Sequence, residues 1–253
     1  MSSVTVRGLT IGEGIPKIIV PLTGKMPADL MKQAQRAGKE PGVDAVEWRV
    51  DFYEHALWPA QVLAALKAMR TALGEIPLLF TCRTAKEGGE LDIEKEDYYA
   101  LNLTAARSGL VDLVDVEIDM AEDVADHIAL LHELGMKVVA SHHDFEKTPE
   151  EGELRACLER GWVVGGDISK LAVMPQCPED AEHLLAAAKT VHDESGRPLI
   201  AISMGSFGIA SRTEGERWGS AMTFAALGAA SAPGQIPVAQ LKKELERIHA
   251  ECL

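Results

Sequence analysis

At 253 residues, 47% hydrophobic and 25% charged, the chain carries too much apolar material for disorder and enough for one large core. A formal net charge of −14 argues against nucleic acid or an anionic membrane as partner, because both recruit a cationic face, and it leaves small molecules as the ligands to consider. The opening MSSVTVRGLTIGEG lacks the apolar core of a secretion signal, and no run approaches the roughly 20 apolar residues of a membrane span, so a cytoplasmic location is expected.

In chain order, SVTVRGLTIGEG reads as a hairpin with a glycine-rich turn, expected to plug one end of the fold. Eight β-type runs follow: KIIVPL from Lys17, DAVEWRV from Asp44, PLLFTCR from Pro77, LVDLVDVEI from Leu110, MKVVASH from Met136, DISKLAVM from Asp167, RPLIAISM from Arg197 and SAMTFAAL from Ser220. Helical stretches such as PAQVLAALKAMRTAL and PEDAEHLLAAAKTVHDES lie between them, and PVAQLKKELERIHAECL closes the chain as an amphipathic helix. Strand starts recur at roughly 30 residues, the length of a βα unit. The prediction is an α/β fold, a (β/α)8 TIM barrel spanning residues 1–253 as a single domain, with the N-terminal β-hairpin closing the bottom. A doubly wound sheet is the rival, but PLTGKMP stands after the first strand where a GxGxxG would be needed. Cys82, Cys157, Cys177 and Cys252 form no CxxC pair, which points to packing thiols rather than a zinc cage or a disulfide framework.

Parity along the strands divides the side chains further, since successive residues point to opposite faces. Val46, Trp48, Val50, Phe80, Cys82, Val114, Val116, Leu171, Val173, Ile200 and Ile202 are assigned to the face that meets the helices. The other parity holds Glu47, Arg49, Thr81, Arg83, Asp115, Glu117, Ser141, His143, Lys170 and Ser203. Barrel active sites sit at the C-terminal ends of the strands, so this polar set is expected to converge on one mouth. A buried ion-pair network explains any single member equally well; ten members from six strands favour a site.

The same parity separates two adjacent histidines in SHHDFEKTP. His143 should look into the mouth and is the chemical candidate, whereas His142 should lean toward the helices as a hydrogen-bonded structural residue. Adjacent strand residues diverge, so no metal site is expected there. Lys170, in the middle of DISKLAVMP, is expected inside the barrel, where desolvation and Arg49, Arg83 or Arg212 would free its amine as a nucleophile; the competing reading pairs it with Glu47 or Glu117 for structure alone. Glu87, in KEGGE, is a solvated loop residue taken alone and a candidate partner beside an inward His143.

EWRVDFY, PLLFTCRTAKEGGE, GLVDLVDVEID, SHHDFEKTP, DISKLAVMP, ISMGSFGIASR and SAPGQIP together resemble the type I 3-dehydroquinate dehydratases, Schiff-base lyases of the shikimate pathway, over nearly the whole chain. The resemblance implies a cytoplasmic homodimeric (β/α)8 barrel needing no cofactor or metal, which converts 3-dehydroquinate to 3-dehydroshikimate by syn elimination. It assigns the imine to Lys170, proton transfer to His143 and the acidic partner of that histidine to Glu87. Glu47, Arg49 and Arg83 match residues around the substrate hydroxyls and the lysine, and Arg212 matches a carboxylate clamp. Ser231 and Gln235 match a loop closing over the ligand, although the residues alone read as an ordinary turn beside Pro233 and Gly234; Met204 and Phe224 match apolar walls. Departures from the family pattern are His142, where Asn is common, Pro21, where a small polar residue is common, and Gly205, where Ser is frequent. A class I aldolase or a non-catalytic barrel that binds a small acid are the other readings; an inward lysine facing an inward histidine has no use in the last, and Arg212 with SAPGQ suits a carboxylate better than a phosphosugar.

Overall fold

The structure is a computed structural model that describes residues 2–228 and 232–253. Strands β1 (Val4–Val6) and β2 (Leu9–Ile11) pair antiparallel across the two-residue turn Arg7-Gly8. Both turn residues have positive φ, 43° and 77°, the backbone that matches the twist of a tight hairpin. The predicted βα rhythm then runs through β3 (Lys17–Leu22), α1 (Pro27–Ala37), β4 (Ala45–Arg49), α2 (Pro59–Leu73), β5 (Leu78–Thr81), α3 (Lys95–Arg107), β6 (Leu113–Glu117) and α4 (Val124–Glu133). It continues with β7 (Lys137–Asp144), α5 (Glu151–Val163), β8 (Ile168–Val173), α6 (Pro178–Ser195), β9 (Leu199–Ser203), the short α7 (Ile209–Thr213), β10 (Met222–Ala226), β11 (Ile236–Pro237) and α8 (Val238–Cys252). Pro27, Pro59 and Pro178 open three of these helices, at positions where a missing N–H costs no intrahelical bond.

The larger sheet is parallel in the order β11-β10-β3-β4-β5-β6-β7-β8-β9. Its ends meet through residues just before β10, where Ala221 N–H donates to Leu199 O at 2.7 Å and Ser220 Oγ accepts from Ala201 N–H at 3.2 Å, so β3 to β10 close into the eight-stranded barrel. Asp44, Asp112 and Asp167, each just ahead of a strand, accept the opening backbone N–H groups of Ile18, Leu78 and Val138 at 2.7 to 2.9 Å. The recurrence in every second unit satisfies donors at the N-terminal end of the barrel that no strand reaches.

Two apolar layers flank the strands. Outside, Val46, Trp48, Phe80, Val114 and Val116 pack with α1 to α4, and the Trp48 ring meets Tyr53 and Phe80 edge-on at 5.6 and 5.5 Å. Burial of each large side chain there contributes about 1.5–3 kcal/mol. Inside, Ile19, Leu79, Leu113, Val139, Ile168 and Ile200 stack on Val4, Val6 and Ile11 of the hairpin, which plugs the bottom as expected. The parity assigned to β9 is corrected. Lys170 pairs with Ile200, Ala172 with Ile202 and Val173 with Ser203, so Ile200 and Ile202 face inward and Ser203 outward. LIAIS is apolar on both faces, so its alternation carries no phase until a neighbouring strand supplies the register.

Candidate active site

At the C-terminal ends of the strands a cleft of about 630 Å³, counted out to its open mouth, is lined by Glu47, Arg49, Arg83, Glu87, His143, Lys170, Met204, Arg212, Phe224 and Gln235. These are the sequence-predicted site residues brought together; Ser231 lies outside the described residues. Pro21, Gly88, Phe145, Ala172, Ile202 and Ala232 also line it and were not singled out as walls, because loop and strand-end neighbours are set by the closed barrel rather than by local pattern.

Lys170 enters from the middle of β8 and is buried. Its Nζ lies 3.4 Å from Asp115 Oδ2, 3.8 Å from Glu47 Oε1 and 4.6 Å from the centre of the Phe224 ring. Two carboxylates flank the amine rather than the arginines alone; Glu47 is the partner named in the competing reading, whereas Glu117, its alternative there, is engaged elsewhere. Glu117 accepts from Arg83 at 2.9 Å and from the Thr84 N–H and hydroxyl at 2.8 Å each.

Arg83 is the hub beneath the site. Its guanidinium donates to Asp115 at 2.7 Å, Glu117 at 2.9 Å, Ser141 at 3.1 Å and Glu87 at 3.3 Å, and only 3% of its side chain is exposed. Burial disfavours the cation, but Asp115, Glu117 and Glu87 outweigh it and hold the Arg83 pKa raised. Burial likewise works against the Asp115 carboxylate, yet Arg83, Lys170 and Ser141 keep its pKa low. Removing one partner from so enclosed a network leaves another charge uncompensated, which costs about 3–5 kcal/mol.

Asp51 went unremarked in the sequence although it anchors two parts of the cleft. It takes both arms of the Arg49 fork at 2.8 and 2.7 Å, and it accepts the backbone N–H of Arg83 at 3.3 Å and of Glu90 at 3.2 Å. The signal was an aspartate two residues beyond Arg49; its other partners lie more than 30 positions away and leave no local pattern. The turn between Arg83 and Glu90 presents Glu87. Gly88 has φ +78°, and a Cβ there would sit 2.4 Å from the Phe145 ring; at Gly89 a Cβ would sit 2.0 Å from Arg83 O. The paired glycines let the turn pack against Phe145 and the strand end at once.

His143 Nδ1 lies 2.9 Å from Glu87 Oε2. Burial, followed by Arg83, Lys170 and Arg49, holds the imidazole pKa well below its ordinary value, so the ring is neutral at neutral pH. With Glu87 ionised, Nδ1–H is the donor, which leaves Nε2 as the free base. Burial raises the Glu87 pKa, with His142 and Arg83 opposing. His142 turns the other way, into a side cleft with Cys157 and Arg160 of α5, as parity predicted. It was expected to be a hydrogen-bonded structural histidine, and its polar neighbours are two carboxylates. Its Nδ1 approaches Asp119 Oδ2 at 2.9 Å and Glu87 Oε1 at 3.4 Å, but neither oxygen lies along a well-directed N–H bond. Among the described residues Glu87, Asp119 and His142 are the set whose donor atoms lie within 4.8 Å of one another; ion pairing accounts for it, since Asp119 also holds Arg160 and Glu87 also holds His143.

Arg212, from α7, is 1% exposed and has no carboxylate partner among the described residues. It donates to the carbonyl oxygens of Pro233 at 3.0 Å and, weakly, Phe224 at 3.5 Å, while its Nε finds no acceptor. Burial lowers its pKa to about 10, which still leaves a cation at neutral pH, set in the cleft wall and free to meet an anion.

Comparison with known proteins agrees with this geometry. A profile of the type I 3-dehydroquinase family matches residues 18–251. The chain is 47% identical over 252 residues to the 3-dehydroquinate dehydratase of Listeria welshimeri, covering 99% of this chain and 100% of the relative. It is 46% identical over 249 residues to that of Klebsiella pneumoniae, covering 97% and 98%. Among solved structures, the Clostridium difficile type I 3-dehydroquinate dehydratase with covalently modified comenic acid superposes with a TM-score of 0.95 at 41% identity, over 99% of each chain. The Geobacillus kaustophilus 3-dehydroquinate dehydratase superposes with 0.95 at 35% identity, over 98% and 97%. The chain belongs to the type I 3-dehydroquinases, a family of dehydratases within the lyases.

Proposed function

We infer that the cleft dehydrates 3-dehydroquinate to 3-dehydroshikimate by a syn elimination through a Schiff base on Lys170. The observation that carries this reading is a largely enclosed His143, its Nδ1 2.9 Å from Glu87 Oε2, in the same cleft as a buried lysine. The Lys170 amine adds to the C3 ketone and water leaves, giving an iminium. The iminium acidifies the C2 proton, and His143 Nε2 removes it while the C–H electron pair becomes the C2–C3 double bond and the C=N pair moves onto nitrogen, giving an enamine. The imidazolium then returns that proton to the C1 hydroxyl, which departs as water as the enamine pushes back to a conjugated iminium. Hydrolysis frees the product and the amine, so the balance is the loss of one water. One histidine serving both transfers on one face of the ring is what makes the elimination syn. The covalently modified acid of the Clostridium difficile relative supports a covalent step.

Glu87 fixes the tautomer of His143, Glu47 and Arg49 offer groups to the hydroxyls of the ring, and Arg212 clamps the substrate carboxylate. Arg83 has most of its donors committed to protein carboxylates, so its part is to hold Asp115, Glu117 and Glu87 in place. Met204 and Phe224 wall the ring and Gln235 lines the mouth, where the family resemblance assigns it to a loop that closes over the ligand. The reading extends to a cytoplasmic homodimer, supported by the family resemblance.

Incubation with 3-dehydroquinate should produce the ultraviolet absorbance of a conjugated enone, and borohydride added during turnover should inactivate the protein with a mass adduct on Lys170. Lys170→Ala should lose turnover and adduct together. His143→Ala should lose about 10²–10⁴-fold in kcat while still trapping an imine. A His143→Ala protein with full activity rejects the assignment.

A further inference from the structure

We propose that His142 is a positioning residue: as a cation in the side cleft behind the strand, it keeps Glu87 ionised for His143 and so sets how far the pH can fall before the base is lost. The proposal deepens the dehydratase reading, on which its kinetic test rests.

One carboxylate serves two neighbouring imidazoles. Glu87 Oε2 meets His143 Nδ1 at 2.9 Å, and Oε1 lies 3.4 Å from His142 Nδ1. The two rings leave β7 on opposite faces, so Glu87, arriving on the turn after β5, spans the end of the strand between the active-site cleft and the side cleft. An enclosed carboxylate tends to take up a proton. Arg83 opposes that from beneath, at 3.3 Å from Oε2, and His142 opposes it from the other oxygen. The contact between His142 Nδ1 and Glu87 Oε1 is long, at 3.4 Å, and acts on the carboxylate through both its polar contact and its charge.

The charges facing His142 favour that cation. Glu87 comes from the turn after β5 and Asp119 from the loop after β6, while Asp144 and His143 are its neighbours on β7. Arg160, Glu153 and Cys157 face the side cleft from α5, and Lys147 from the loop after β7. Arg160 is bound to the far oxygen of Asp119, and the Cys157 thiol, pushed up to about 12 by burial and then by Asp119 and Glu87, stays neutral. The contact with Glu87, outweighing burial, raises the His142 pKa, with Asp119 and Asp144 adding to it. The same positive charge lies close enough to help hold His143 neutral. Losing it therefore acts twice in one direction: Glu87 takes a proton at higher pH, and so does His143.

The experiment compares the pH dependence of kcat/KM in the unmodified chain, His142→Asn, His142→Gln and His142→Lys, with ring-labelled histidine NMR following His143 in each folded protein. Both neutral variants should move the acid limb, and the His143 titration with it, upward by about one pH unit, a tenfold rate loss on that limb. The curves should converge above the pH at which His142 itself is neutral, and His142→Lys should restore the original limb. An unmoved limb and titration in the neutral variants overturns the proposal, as does a loss uniform across pH that His142→Lys shares, which marks a packing role. If the unmodified chain fails to turn over 3-dehydroquinate, the dehydratase reading falls, and the NMR titrations still decide the coupling.

Discussion

Among the described residues the Arg212 cation meets two carbonyl oxygens and no carboxylate, which is the arrangement of a group awaiting its counterion from outside. A charge-assisted hydrogen bond contributes about 1.5–3 kcal/mol. Arg212→Gln should therefore raise KM for a carboxylate substrate by about 10–100-fold with a smaller change in kcat, measured by steady-state kinetics. An unchanged KM would remove Arg212 from substrate recognition. At this scale the sequence was uneven. Lys170 and His143 could be singled out from strand parity because their neighbours alternate cleanly. Arg212, on a five-residue helix after β9, has no such frame, and its role as a carboxylate clamp came from the resemblance alone. Asp115, and Asp51 beyond its local pair with Arg49, owe their importance to partners brought together by barrel closure, which no window of sequence contains.

Between residue and fold stands the turn that carries Glu87. It is held by Asp51 accepting the Glu90 N–H, by Gly89 N–H donating to Thr84 O at 2.8 Å and by the close seat of Gly89 on Arg83 O. A methyl at position 89 must displace that backbone, moving Glu87 away from His143. Gly89→Ala should lower kcat about 10²-fold, the cost of a misplacement on the order of an ångström, while far-ultraviolet circular dichroism stays unchanged. Retained kcat would show that the turn adjusts without carrying Glu87 with it. The sequence marked KEGGE as a loop and its carboxylate as a candidate, but the need for two glycines arises from Phe145 and Arg83 closing on it from opposite sides. The eight barrel strands, by contrast, were legible, because βα units of regular length leave one closed arrangement, whereas the two-residue β11 was too short to show. Only the phase of β9 failed, in a strand apolar on both faces.

For the whole molecule, buried histidines link stability to pH. Burial pushes His127 of α4 down to about 4, with Asp123 opposing, and its ring stacks on Tyr99 at 3.9 Å. His143 is depressed too. For both, the folded pKa lies below the unfolded value near 6.5, so between those values the unfolded chain binds more protons, and stability rises with pH. Unfolding free energy should thus fall as pH drops from about 6.5 toward 4, by about 1.4 kcal/mol per pH unit for each proton taken up. Below about pH 4 the lowered carboxylate of Asp115 adds its own loss. His127→Phe, which preserves the stack, should reduce the slope by one proton in urea titrations from pH 4.5 to 7; an unchanged slope would show that His127 does not titrate with unfolding. The hairpin of β1 and β2 bears on traffic rather than on stability. With Val4, Val6 and Ile11 stoppering one end of the barrel, substrate and product share a single doorway. Each departing molecule must clear it before the next can enter, so accumulated product competes for the same threshold.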